Sequence, residues 1–118
     1  MDQSRTRSDE VAAALPEGLL KRVVDHLDPV RIIVFGSHAR GDAGPNSDFD
    51  LLIVVDDDVP KSQIDWRAVH EARRGIRGAI DLIPCRLSSF QERADIIGSL
   101  PWIASTEGVV VYDRPQTN

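Results

Sequence analysis

Residues 31–55 read RIIVFGSHARGDAGPNSDFDLLIVV, and the fold follows from how this stretch divides. Ile32, Ile33, Val34 and Phe35 form a β-branched and aromatic run suited to a strand buried on both faces. Gly36 ends the run, because a residue without Cβ permits a sharp turn and a close approach of the backbone to a phosphate. Ser37 offers a hydroxyl and is placed to cap a short helix of His38, Ala39 and Arg40, whose first amides point at an anion. His38 reads as surface at the helix start rather than as a base. Arg40, one helical turn from the cradle, either adds positive charge to it or pairs with Asp42. A polar loop at residues 42–47 leads to a second strand running from Phe49 to Val55. Side chains alternate along a strand, so Asp48 and Asp50 share one face while Phe49 takes the other. Two carboxylates on one face suit a hard divalent cation.

The D-x-D pattern alone carries nothing, since 14 aspartates among 118 residues produce about 1.6 such pairs by chance. Asp56 and Asp58 form a second pair, and before Val59-Pro60 they read as a solvated acidic loop. Asp48 and Asp50 differ in context. They follow a strand, a Gly-Ser turn and a helix, and they open a strand whose apolar residues belong in a core, which puts them at its exposed end.

Working outward, residues 15–27 carry Leu19, Leu20, Val23, Val24 and Leu27 at helical spacing, with Pro16 suited to the first turn. Asp28-Pro29 stops this helix and feeds the Arg31 strand; His26 is expected to meet the terminal carbonyls. Between Pro60 and Gly75, Ile64, Ala68 and Ala72 recur every four residues and predict a second long helix, with Trp66 and His70 covering an edge of the core. Its Lys61, Arg67, Arg73 and Arg74 read as a solvated face. Gly75 and Gly78 end it before a strand from Ala79 to Cys85, on which Asp81, Ile83 and Cys85 share a face. On the residues alone Asp81 is a strand-edge carboxylate paired with Arg77 or Arg86, and Cys85 is a small buried hydrophobe. Ser88 or Ser89 opens a capping box, with Phe90, Ala94 and Ile97 lining a helix. A short helix over residues 101–107 and a strand over 109–112 complete an α/β chain with a small mixed sheet and flanking helices.

Composition bounds the possibilities further. With 118 residues, 42% of them hydrophobic, one domain over residues 1–118 is expected, flexible at about 1–8 and 114–118, with Arg5 and Arg7 solvated. A net charge of −5 argues against extended nucleic-acid binding, which needs a basic face. One cysteine excludes an intrachain disulfide and a CxxC zinc site, and fits a reducing compartment. No run approaches the roughly 20 apolar residues of a membrane span, and residues 1–10 lack an apolar signal core. A cytoplasmic protein is the resulting expectation. The dinucleotide G-x-G-x-x-G, Walker A and HExxH patterns are absent.

Gly36-Ser37, ten intervening residues and Asp48-Phe49-Asp50, set within GSHARG and SDFDLLIV, resemble the signature of the DNA polymerase β-like nucleotidyltransferase superfamily. The shortness of the chain resembles its minimal nucleotidyltransferases, the MNT group often paired with a HEPN-domain toxin. That resemblance implies the polymerase β-like fold and a third carboxylate on a later strand, the place where Asp81 stands. It implies ATP as nucleotide donor and two magnesium ions held by Asp48, Asp50 and Asp81, with terminal phosphates on Gly36 and Ser37 and Arg40 adding charge. Such ions neutralise the triphosphate, align the attacking hydroxyl and stabilise pyrophosphate. It further implies AMP transfer to a hydroxyl on a HEPN toxin, which would make the chain an antitoxin. Aminoglycoside nucleotidyltransferases share the motif but carry extra helical material for the drug, and once the nucleotide-binding core is counted none remains here. Two alternatives stand: a binding-only antitoxin that occludes its toxin without chemistry, and an antibiotic-type enzyme acting on a small molecule.

Overall fold

The computed structural model describes residues 6–115. Its centre is the strand that the sequence makes most apolar. β2 (Phe49–Val55) has every residue from Leu51 onward buried, because it lies between two other strands and under helices on both faces. β1 (Arg31–Phe35) pairs with it antiparallel, and β3 (Ile80–Arg86) pairs with it parallel. β4 (Val109–Asp113) runs antiparallel to the other edge of β1, giving the order β3-β2-β1-β4 and a mixed four-stranded sheet. Pro84, which has no N–H to offer, sits on edge strand β3, where such a residue is tolerated and blunts further pairing.

The two faces of the sheet bury two separate cores, and strand alternation sorts the residues between them. Ile32, Val34, Leu51, Ile53, Val55, Ile80 and Leu82 face α2 (Leu19–Leu27) and α4 (Trp66–Ala72). Ile33, Phe35, Leu52 and Val54, with Ile83 and Cys85, face Phe90 of α5 (Leu87–Arg93) and Ala104 of α6 (Leu100–Glu107). Leu19, Val23 and Leu27 on α2 are the buried members of the predicted stripe, and each is at most 1% exposed. The helix ends where Asp28 enters the left-handed region at φ 47°, before buried Pro29. His26 Nδ1 lies 2.9 Å from the Arg22 carbonyl, one turn back inside the helix, rather than from the terminal carbonyls expected of it.

Several local expectations give way to tertiary contacts. Residues 6–8, expected to be flexible, belong to a capped helix: Thr6 caps α1 (Arg7–Ala14) through the Asp9 amide, and Asp9 returns a bond to the Thr6 amide. Ser8 donates to the Val110 carbonyl and Arg7, though exposed as expected, donates to the Ala39 carbonyl; Arg5 lies outside the described residues. At the other end, Arg114 is held by Asp56 at 2.8 Å and Asp28 at 3.2 Å, although residues 114–118 were expected to be free; residues 116–118 lie outside the description. Pro16 falls in the turn between α1 and α2 rather than inside a helix.

The long helix predicted after Pro60 is split into a 3-10 turn at Lys61–Gln63 and α4, because Asp65 caps α4 afresh through the Ala68 amide at 3.0 Å. Trp66 is 73% exposed, so it covers no core edge. α5 carries no side-chain cap of its own, and Ile97 is exposed. Asp57 reaches from the loop after β2 to accept from the Ser88 amide at 2.9 Å, which replaces the predicted capping box. Asp56 and Asp57 are thus structural anchors, not merely solvated loop.

Gly108, between α6 and β4, has an ordinary φ of −77°, yet a Cβ there would collide with the Ala104 carbonyl and with Ile33 Cγ2 at 2.5 Å. The clash is with backbone and a core side chain, neither of which can swing away. Gly108→Ala is therefore expected to lower stability by about 1–3 kcal/mol, read as a drop in urea midpoint at constant slope.

Candidate active site

Strand register brings the site together. Phe35 of β1 stands opposite Asp50 of β2, and Asp50 stands opposite Asp81 of β3. Three neighbouring strands therefore present, at one level, the residue before Gly36 and two carboxylates. Asp50 and Asp81 continue the rows Leu52-Val54 and Ile83-Cys85, beyond the cover of α5 and α6, on a single face of the sheet. Asp48 precedes the first β2 residue, Phe49, by one position and is exposed; Asp81 is exposed and Asp50 only half-buried.

Electrostatics tie the three carboxylates to one another. Asp50 is held above its ordinary value of 3.8, first by loss of solvent and then by the charges of Asp81 and Asp48, with a hydrogen bond donated by its protonated form to Asp81 adding to the rise and the His38 charge opposing it. Asp81 does not take up the arginine pairing that its strand position allowed. Arg86 instead donates to the carbonyls of Asp57 and Val59, both at 2.8 Å, and so pins the loop after β2.

Gly36 meets the carboxylates directly. Its φ of 80° lies in the left-handed region, and a Cβ at this position would fall 2.6 Å from Asp50 Oδ2. The Asp50 carboxylate thus occupies the space that only glycine leaves open. Gly36 also caps α3 (Ser37–Arg40), accepting through its carbonyl from the Ala39 and Arg40 amides at 3.0 Å. Ser37 is the first helical residue, not the cap, so its hydroxyl is not engaged in capping. Arg40 is exposed and donates to Asp42 at 3.2 Å and Glu107 at 3.1 Å; these partners, Glu107 first, raise its pKa.

Two contacts here were not legible in the sequence. Glu107 lies 67 positions from Arg40 and joins α6 to α3. His38, read as plain surface, is half-buried and stacks on Phe49, with ring centroids 3.6 Å apart and planes 15° from parallel. Cys85 lies half-buried in the second core, and burial raises its thiol above the ordinary value, which disfavours the nucleophilic thiolate.

A divalent cation can be judged against this donor set. Three carboxylates that repel one another, one of them pushed toward its protonated form, are hard oxygen ligands lacking positive charge. Their chemistry fits magnesium. Among the described residues, however, no three His, Cys, Asp or Glu side chains are already drawn into a ligand cluster. The carboxylates are brought near by register without being closed around a point. Among the same residues, no helix is long and apolar enough to cross a membrane.

Comparison with known proteins agrees with this architecture. The fold is similar to that of a candidate nucleotidyltransferase from Sulfolobus solfataricus, with TM-score 0.54 and 21% identity over 97% of this chain and 94% of that one. It is also similar to a toxin-antitoxin structure determined with AMP-PNP, with TM-score 0.54 and 19% identity over 81% of this chain and 71% of that one. At such identities the likeness establishes the fold alone. A search of curated proteins finds no match. The family of the nucleotidyltransferase domain matches residues 17–104, a span containing Gly36, Ser37, Asp48, Asp50 and Asp81, and the chain belongs to that family.

Proposed function

We propose that this nucleotidyltransferase moves AMP from ATP to a hydroxyl on a partner protein, a HEPN-type toxin, and thereby acts as an antitoxin. The observation that carries the chemistry is the register that sets Asp50 against Asp81 beside the Gly36 turn. The partner assignment rests on the fold shared with a toxin-antitoxin structure determined with AMP-PNP.

In this reading Asp48, Asp50 and Asp81 hold two magnesium ions, which supply charge neutralisation and an activated hydroxyl when bound. Gly36 and Ser37 receive the terminal phosphates at the β1–α3 turn, with the Asp50 carboxylate packed against Gly36. Arg40 contacts the same phosphates by exchanging Asp42 and Glu107 for them. Asp81, opposite Asp50 and exposed, faces the incoming hydroxyl and accepts its proton. The nucleotide's charge and the partner's acceptor thus meet at the open end of the sheet.

The test is intact-mass analysis of a HEPN-domain partner encoded beside this chain, after incubation with ATP and magnesium. A gain of one or more AMP units, absent when Asp48 and Asp50 are both asparagine, supports the proposal. A stable complex with no mass change replaces it with the binding-only antitoxin. Within the same assay Asp81→Asn is expected to lower turnover about a hundredfold and to change nucleotide affinity by less than about threefold. Equal losses in both would move Asp81 from chemistry to positioning.

A further inference from the structure

Asp50 is fixed by ladder pairing on both sides, to Phe35 and to Asp81. Asp48 has no such support, since it precedes the first residue of β2. Its neighbours are held separately, Phe49 by the ladder to Ile80 with its amide donating to the Ala79 carbonyl at 3.0 Å and Ser47 by a turn with Gly44, and one side chain, His38, touches both. The His38 ring stacks on Phe49 at 3.6 Å between centroids, and its Nε2 lies 3.2 Å from the Ser47 carbonyl. A carbonyl only accepts, so Nε2 carries the proton and donates. The Ser47 carbonyl and the Asp48 amide belong to one rigid peptide plane, and fixing that oxygen fixes the plane from which the Asp48 Cα departs. Phe49, one residue on, has its backbone in the ladder to Ile80 and its ring against the imidazole. His38 therefore grips the chain on both sides of Asp48.

The same residue is directly bonded to Ser37. Its backbone belongs to α3, whose N-cap is Gly36, while its side chain holds the start of β2. One residue thus spans the distance between the phosphate turn and the carboxylate strand. The intervening loop is otherwise secured by a turn of its own, with the Gly44 amide donating to Ser47 Oγ at 2.8 Å and the Ser47 amide to the Gly44 carbonyl at 3.2 Å. That turn gives Ser47 a local shape, and His38 ties the shape to the helix.

We propose that His38 is a positioning residue that sets Asp48 relative to the Gly36-Ser37 turn. The inference rests on the reading of Asp48 and Asp50 as ligands for a metal-nucleotide complex. It gives α3 a second task besides presenting the turn, and it explains why an imidazole, a flat ring with a donor at its edge, stands at a position where any polar helix residue would satisfy solvent. Phenylalanine keeps the stack and loses the donor, glutamine keeps a donor and loses the stack, and alanine loses both.

The experiment measures binding without turnover, using Mn2+ and α,β-methylene-ATP as probes on the full chain, alongside thermal unfolding and amide exchange of the metal-free protein. His38→Ala is expected to weaken binding of the Mn2+-analogue complex by roughly tenfold or more. It should also speed exchange at the Asp48 and Phe49 amides. His38→Gln and His38→Phe should each lose roughly threefold, with unfolding temperatures close to wild type. If the Gln and Phe variants are stable and bind as wild type, the residue only packs the helix and the proposal is overturned; they decide the matter even where the Ala variant fails to fold. A His38→Ala protein that folds and binds within twofold of wild type overturns it equally. Wild-type protein that itself binds no Mn2+-analogue complex overturns the metal-nucleotide reading, and with it this proposal, a result distinct from a defect confined to the His38 variants.

Discussion

Replacing Asp48 and Asp50 together by asparagine is expected to lower nucleotide transfer by at least about a thousandfold while leaving the fold intact and the metal-free protein slightly more stable. The loss follows from removing two of the three carboxylates proposed above as metal ligands. The stability follows from Asp50, whose carboxyl is raised above 3.8 by loss of solvent and by the charges of Asp81 and Asp48. A carboxyl whose folded-state value lies above its unfolded one keeps its proton longer when folded. Its contribution to stability is complete below the unfolded value and disappears as pH climbs through the folded one. Metal-free wild type should thus lose stability over that interval, and the double variant should lose less. Urea unfolding in chelator at about pH 4 and about pH 7 checks the sign. Full activity in the double variant would remove these residues from the site.

Gly36→Ala is expected to cost about 1–2 kcal/mol of stability, the penalty for a Cβ at φ 80°. Its larger effect should be on turnover. The new methyl would stand 2.6 Å from Asp50 Oδ2, and the carboxylate is the group able to move. Displacing the proposed metal ligand Asp50 by about an ångström is expected to reduce activity by roughly a hundredfold or more, out of proportion to the stability lost. Comparing unfolding midpoints with kcat for Gly36→Ala and Gly108→Ala separates the two causes. Gly108 lies at the α6–β4 junction, away from the carboxylates, so its variant should lose stability without a matching loss of turnover per folded molecule. Were both variants to lose activity in proportion to stability, the close approach of Gly36 to Asp50 would have no catalytic meaning.

The sheet was legible because its strands are written in composition. Leu51 to Val55 are apolar without interruption, as a strand covered on both faces must be, and the α2 stripe repeats at helical spacing. The helices of the second half were less legible. α4 and α5 have seven residues each, too few for a stripe to define their ends, and their starts are fixed by Asp65 and by Asp57 from a distant loop. α1 was missed because its first residues are polar and its anchorage, through Arg7 and Ser8, is to groups that fold next to it only in three dimensions.

For the candidate site the division is similar. The sequence by itself determined the order of devices: a strand ending at Gly36, a helix opening at Ser37, and Asp48 and Asp50 at the start of a strand. These are properties of spacing and of backbone permissiveness, which neighbouring residues decide. Only the tertiary structure decided that Asp81 stands level with Asp50, that Arg40 is engaged by Glu107, and that His38 grips both sides of Asp48. A parallel pairing can slip by residues without changing either strand's composition, and partners 31 or 67 positions apart leave no periodicity between them. Such contacts are fixed by how the two cores pack against the sheet, which is a property of the whole chain.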